Sequence, residues 1–217
     1  MIDATFLGRE YGYLVFHDTR RAIYFKEIIN ELVKDLKEGL FILKDAGYVI
    51  NSITIDGRRG YYSNIRKVLG YSIQMCIYYQ KAIIRRYITD TPQSRCGQEL
   101  KELSSRIADK ESHQRFVDDF YKLKEKYHFY LYRKNKNGDF KHQNLRFAFR
   151  SLKSSLLNIF LYYDSATLNI PPTNNHLEGL FSHLKERVNI HRGLRLDRKK
   201  KAIKFLLRNL GQKCRKK

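Results

Sequence analysis

Three acids in a strongly basic chain have surroundings suited to chemistry: Asp3 in "IDATF", Asp56 at the end of "SITIDG" and Glu178 in "TNNHLEG". Asp3 sits among Ala4, Thr5 and Phe6, a segment suited to a buried sheet, where an unpaired carboxylate costs several kcal/mol. Asp56 ends an apolar run, and the carboxyl ends of strands in open α/β sheets are where ligands bind. Glu178 falls in the first turns of a helix, a position that favours an acid electrostatically. Each has a plainer reading taken singly. Asp-Gly is a common turn signal, Asp3 could lie on an exposed edge, and Glu178 could merely complement the helix dipole. Together they form a carboxylate-only set, whose hard oxygens suit Mg²⁺ or Mn²⁺ and suit zinc poorly. Two such ions about 3.5–4 Å apart activate a nucleophile and stabilise the leaving oxygen in phosphodiester chemistry. The set therefore points to metal-dependent phosphoryl transfer on nucleic acid. His176 and His183 share a helix seven residues apart, but no third ligand has a spacing that would make a zinc site with them.

The elements that must position these acids can be read from periodicity. "IDATFLG", "YGYLVFHD" and "AIYF" are strand-like and separated by turn residues, with Asp18 before Thr-Arg-Arg at one of the turns. Ile29, Leu32, Val33, Leu36, Leu40 and Leu43 recur at helical spacing, and the helix stops near Gly47. "YVINSITI" predicts a nearly continuous apolar strand of the parallel-sheet type, ending at Asp56-Gly57. A helical segment over 61–69, the strand "SIQM" and a helix through about Ile88 follow. Residues 93–163 are mainly helical with no clear strand. In the last block Leu177, Leu180, Phe181, Leu184 and Val188 make an apolar face, flanked by a polar stripe of Asn174, Glu178 and Lys185. Thr173 or Asn174 after the Pro171-Pro172 stop is the expected N-cap. The order predicts an α/β core over 1–92, an all-helical insertion over 93–163, and final core helices with a basic tail over 164–217.

Lysine and arginine outnumber acids 43 to 22, a formal charge of +21. From His183 to Lys217 there are 14 Lys/Arg against two acids, +12 of that +21. Such a field attracts polyanions, nucleic acid foremost. The candidates for contact with the phosphate backbone are Lys185, Arg187, His191, Arg192 and Arg195. Cys76, Cys96 and Cys214 show no paired spacing, which argues against a disulfide framework and fits a reducing cytoplasm. The longest apolar runs are far short of a membrane span.

Three blocks, "IDATFLGREYGYLVFHD", "ITIDGRRGYYSNIRKVLGYSIQMC" and "TNNHLEGLFSHLKERVNIHRGL", resemble in order those of the bacterial mutator-type DDE transposases of insertion sequences. The resemblance runs from Met1 to about Leu207. It implies a ribonuclease-H-like mixed sheet with flanking helices, interrupted by a helical insertion before the catalytic glutamate. It matches Asp3, Asp56 and Glu178 to the two aspartates and the glutamate that bind Mg²⁺ (or Mn²⁺), with the first strand beside the strand that ends in the second aspartate. The implied activity is cleavage at transposon ends and strand transfer into target DNA, by a protein of the bacterial cytoplasm and nucleoid that works as a homo-oligomer. Where the family usually has Cys-x-x-His, this chain has Cys76-x-x-Tyr79. Relatives also carry a DNA-binding region ahead of the first strand, so the expectation is an N-terminally truncated copy. The alternative is a catalytically inactive remnant that only binds DNA.

Overall fold

The computed structural model describes residues 1–8, 11–57, 64–66, 69–108, 113–190 and 193–209, without the side chain of residue 166. Its elements are β1 (Ile2–Phe6), β2 (Gly12–His17), β3 (Ala22–Ile28), α1 (Val33–Asp45), β4 (Ser52–Ile55), β5 (Ser72–Met75), α2 (Ile77–Ile88), α3 (Arg95–Ser105), α4 (His113–Lys126), α5 (His128–Tyr132), α6 (Gln143–Ile159), α7 (Leu161–Asp164), α8 (Asn175–Ile190) and α9 (Leu196–Asn209). The chain is thus mixed α/β. It divides into two units, one of residues 1–73 and 173–217, the other of residues 74–172.

The first unit is built on the antiparallel sheet β1-β2-β3. Successive side chains of a strand point to opposite faces, and every residue of β2 is buried, so both faces of this sheet are covered. Leu14 and Phe16 face a core shared with Leu36, Leu40 and Leu43 of α1 and with Ile53 and Ile55 of β4. Tyr13 and Val15 face a second core shared with Leu177, Phe181 and Leu184 of α8 and with Ile203 and Leu207 of α9. The result is helix, sheet and helix in three layers. β4 pairs with β5 in a separate parallel pair. It also lies against β1.

Two local readings of the sequence run too long. The helical periodicity begins at Ile29, yet α1 begins at Val33, and Ile29 and Leu32 are 71% and 45% exposed. Leu32 has extended backbone (φ −111°, ψ 148°) and sits at the N-cap without a capping side chain, so the helix cannot propagate back through it. The strand read from Tyr48 is confined to Ser52–Ile55, and Val49 is 86% exposed. Asp18, read as a turn residue, is one: its Oδ1 accepts the N–H groups of Arg20 and Arg21.

Helix α1 reaches the sheet through Gly39. A Cβ at this position would fall within the van der Waals surface of the Phe16 ring, itself fully buried. Replacing a mid-helix glycine by alanine ordinarily stabilises by up to about 1 kcal/mol. Here the sign reverses: Gly39→Ala is expected to destabilise by about 1–3 kcal/mol, because a packed ring must move. Urea denaturation measures the difference.

The second unit is helical. Its core gathers Ile84 and Ile88 of α2, Leu100 and Leu103 of α3, Phe116 and Phe120 of α4, and Phe149, Leu152 and Leu156 of α6. Ser94 caps α3 by accepting the Gly97 N–H at 3.1 Å. Some buried polar groups are paired across long separations. Ser155 donates to Gln80 at 2.9 Å, and Gln74 donates to the Ile159 carbonyl while accepting the Tyr162 N–H. The first bond joins α2 to α6, and those of Gln74 tie β5 to the end of α6 and to α7, all within the compact unit of residues 74–172. Cys76 and Cys96 are both buried. Among the described residues no helix is long and apolar enough to cross a membrane.

Candidate active site

Asp3 is positioned by strand parity. It pairs with Val15 in the β1–β2 register, and Val15 belongs to the core beneath α8. Directly opposite residues share a face, so the Asp3 side chain leaves the sheet on the side that α8 covers. Its neighbours Ile2 and Ala4 face the α1 side. The carboxylate is half-buried, and its Oδ1 accepts the Ala4 N–H at 2.8 Å.

Helix α8 is seated on that face by Leu177, Phe181 and Leu184. Its first turn is fastened to β1 by Asn174, which is 2% exposed. The Asn174 carbonyl accepts the Glu178 N–H at 3.0 Å, while its Nδ2 donates to the Ile2 carbonyl at 3.5 Å. One residue therefore touches the backbone just before Asp3 and the backbone of Glu178. Thr173 and Asn174 were both candidate caps by sequence. Asn174 holds the N-cap position, but its side chain reaches across to the strand, and its Oδ1 has no protein partner. Residue type and position before a helix suggested a local cap; a tether to a strand 172 residues away leaves no mark on local sequence.

Asp56 follows Ile55 at the end of β4, the strand that lies against β1. Asp56 and Glu178 both act on Asp3. The Asp3 carboxyl is pushed up to about 7, first by burial, then further by the negative charges of Asp56 and Glu178; the Ala4 N–H and the Lys185 ammonium pull the other way. Burial and like charge both disfavour the ionised form, and the charges of Asp56, Glu178 and Lys185 all act at Asp3. Lys185, a candidate for the DNA backbone by sequence, also acts on Asp3.

The other predicted basic contacts separate. Arg187 and Arg195 are exposed on α8 and just before α9. His191 and Arg192 lie outside the described residues. Arg187 lines a groove of ≈ 550 Å³ with Lys199, Lys201 and the apolar Val188, Ile190 and Phe205. Lys200 and Lys204 are committed elsewhere: both bind Glu27 on β3, at 2.5 and 3.2 Å, and hold its carboxyl below the usual carboxylate range. They fasten α9 to the sheet. His176 and His183 are both exposed on α8.

For a divalent cation the donor chemistry fits in type, since the set is all carboxylate; burial first, and the charges of Asp56 and Glu178 after it, raise the proton affinity of Asp3. A cation among these groups would offset those charges. Among the described residues no group of three His, Cys, Asp or Glu side chains is placed to hold a metal ion. What links the acids is the charge of Asp56 and Glu178 acting at Asp3. Compared with known protein families, curated proteins and solved structures, the chain matches none.

Proposed function

We propose that this chain is the catalytic domain of a DDE-type DNA transposase with a ribonuclease-H-like core, cleaving DNA at transposon ends and transferring the strand to a target. The observation that supports it most is that the charges of Asp56, just after β4, and of Glu178 and Lys185 on α8 all act on Asp3 of β1. Asp3, Asp56 and Glu178 would hold Mg²⁺ or Mn²⁺, which supplies Lewis-acid activation and charge neutralisation at the phosphodiester. The protein's own contribution is placement. Strand parity turns Asp3 toward α8, Asn174 holds the head of α8 against β1, and Lys185 puts a positive charge where a phosphate would enter. Arg187 and Arg195 hold the backbone beyond it, giving salt-dependent affinity with little sequence preference. The sheet with helices on both faces, joined through a separate helical unit, supports the fold reading. A homo-oligomer acting on nucleoid DNA in the bacterial cytoplasm completes the proposal.

A second reading, a chain that holds DNA without cutting it, is favoured by the absence of a ready three-ligand metal group among the described residues. Incubation with supercoiled plasmid separates the two. The transposase reading expects nicked circles with Mg²⁺ or Mn²⁺ and none with EDTA. Salt-sensitive binding without nicking in either metal would leave only the second.

A further inference from the structure

Helix α6 carries a charge pattern that its own stability does not explain. Its sequence, "QNLRFAFRSLKSSLLNI", contains no acid. Arg146, Arg150 and Lys153 recur at i, i+4 and i+7, the spacing of one helical stripe, where like charges repel. A surface helix ordinarily intersperses carboxylates along such a stripe.

The three cations converge with a fourth, Lys124 of α4, on a pocket of ≈ 210 Å³ floored by Leu131, Tyr132 and Phe149. No acidic side chain lines it. Among the described residues no ion pair joins any of the four to a carboxylate, although neighbouring cations of the same unit are paired, Arg106 with Asp119 and Lys126 with Glu99. Arg146 is held in place by aromatic rings: its guanidinium lies 3.2 Å from the Phe140 ring centre and 4.9 Å from that of Tyr132. Stacking of this kind fixes the plane of a guanidinium and leaves its N–H fork free for an oxyanion. The pocket is large enough for a phosphate group and too small for a folded partner.

We propose that this pocket of the helical unit is a phosphate-binding site, occupied by a backbone phosphate of DNA. Arg146, prepositioned by Phe140 and Tyr132, supplies the planar fork, and Arg150, Lys153 and Lys124 supply charge around it. The site lies wholly within the helical unit and shares no residue with the carboxylate field. DNA as the source of the phosphate rests on the transposase reading. The phosphate chemistry does not.

The test is a paired measurement on the full chain carrying Arg150→Gln with Lys153→Gln, both exposed positions at which glutamine keeps the helix. The control, Lys34→Gln with Arg86→Gln, removes the same charge from exposed positions elsewhere. Binding of a 20-base-pair duplex is followed by fluorescence anisotropy against salt, and thermal stabilisation is followed with inorganic tripolyphosphate. The α6 variant is expected to bind duplex roughly tenfold more weakly at low salt, with a log–log salt slope shallower by about 1. It should also lose the tripolyphosphate stabilisation, while the control keeps most of both. If tripolyphosphate discriminates the variants but the chain binds no duplex, the phosphate site stands with a free polyphosphate as its ligand, and the transposase reading falls. Equal losses in the two double variants would reduce the effect to net charge and overturn the site. So would poly-glutamate stabilising the wild type as well as tripolyphosphate does, since that would make the pocket a dock for acidic protein.

Discussion

Glu178→Gln and Asp56→Asn are each expected to abolish Mg²⁺-dependent plasmid nicking while leaving duplex binding intact. Each change removes a charge from the field that acts on Asp3, and with it a ligand for the ion that would neutralise the reacting phosphodiester. Metal stabilisation of transition-state charge amounts to several kcal/mol, so the rate should fall by about three orders of magnitude or more. Glu178 is exposed and Gln is nearly isosteric, so the fold should not suffer. Lys185→Gln should cost less, about tenfold, because a mobile ammonium acts on the phosphate without ligating the ion. Identically purified variants also guard against a contaminating nuclease, which would nick equally in all preparations. Nicking retained in both carboxylate variants would remove these acids from the chemistry and leave the chain a basic DNA-binding protein.

The same residues mark where the sequence was informative. Leu36, Leu40 and Leu43 announced α1 because a buried helical stripe must repeat, and they are all buried. Ile29 and Val49 misled because an apolar side chain carries no obligation to be buried, only a modest cost when it is not. The acids were chosen by type and by position at element ends, and both are local properties. The effect of Asp56 and Glu178 on Asp3 is not local. Asp3 faces the layer that carries Glu178 only because it pairs with Val15 rather than with Leu14 or Phe16. β2 is apolar on both faces, so its own pattern does not say which parity turns Asp3 toward α8; a slip of one residue would send it to the α1 side. The boundary of the helical unit was hidden for a similar reason. Helix α2 follows a strand and reads as part of the sheet's unit until Gln80 is seen bonded to Ser155, 75 residues away.

Asp3→Asn should change stability in a way that depends on pH. The Asp3 carboxyl has an ordinary value of 3.8 and is raised to about 7 in the folded protein, chiefly by burial. Between those values the folded chain holds a proton that the unfolded chain has released. Unfolding free energy therefore falls by about 1.4 kcal/mol per pH unit as pH rises through this window. The stability contributed by the neutral carboxyl is fully present below about pH 4 and is gone once pH passes about 7. Asparagine mimics the neutral form at every pH. The variant should match the wild type near pH 4 and exceed it near pH 8, by on the order of 3 kcal/mol after allowing for partial exposure of the group. The wild-type profile alone would not reveal this. His17, buried and held at about 4 against an ordinary 6.5, contributes with the opposite sign, its share being present above pH 6.5 and lost as pH falls through 4. The difference between variant and wild type cancels it. Mg²⁺ at pH 8 should then stabilise the wild type, because an ion that binds only the folded carboxylates shifts unfolding by mass action, ~2.7 kcal/mol at a hundred times its Kd. It should leave Asp3→Asn nearly unmoved. A variant that tracks the wild type from pH 4 to 8 would mean that neither burial nor the charges of Asp56 and Glu178 hold a proton on Asp3, and a Mg²⁺ response equal in both proteins would put the cation elsewhere on the chain.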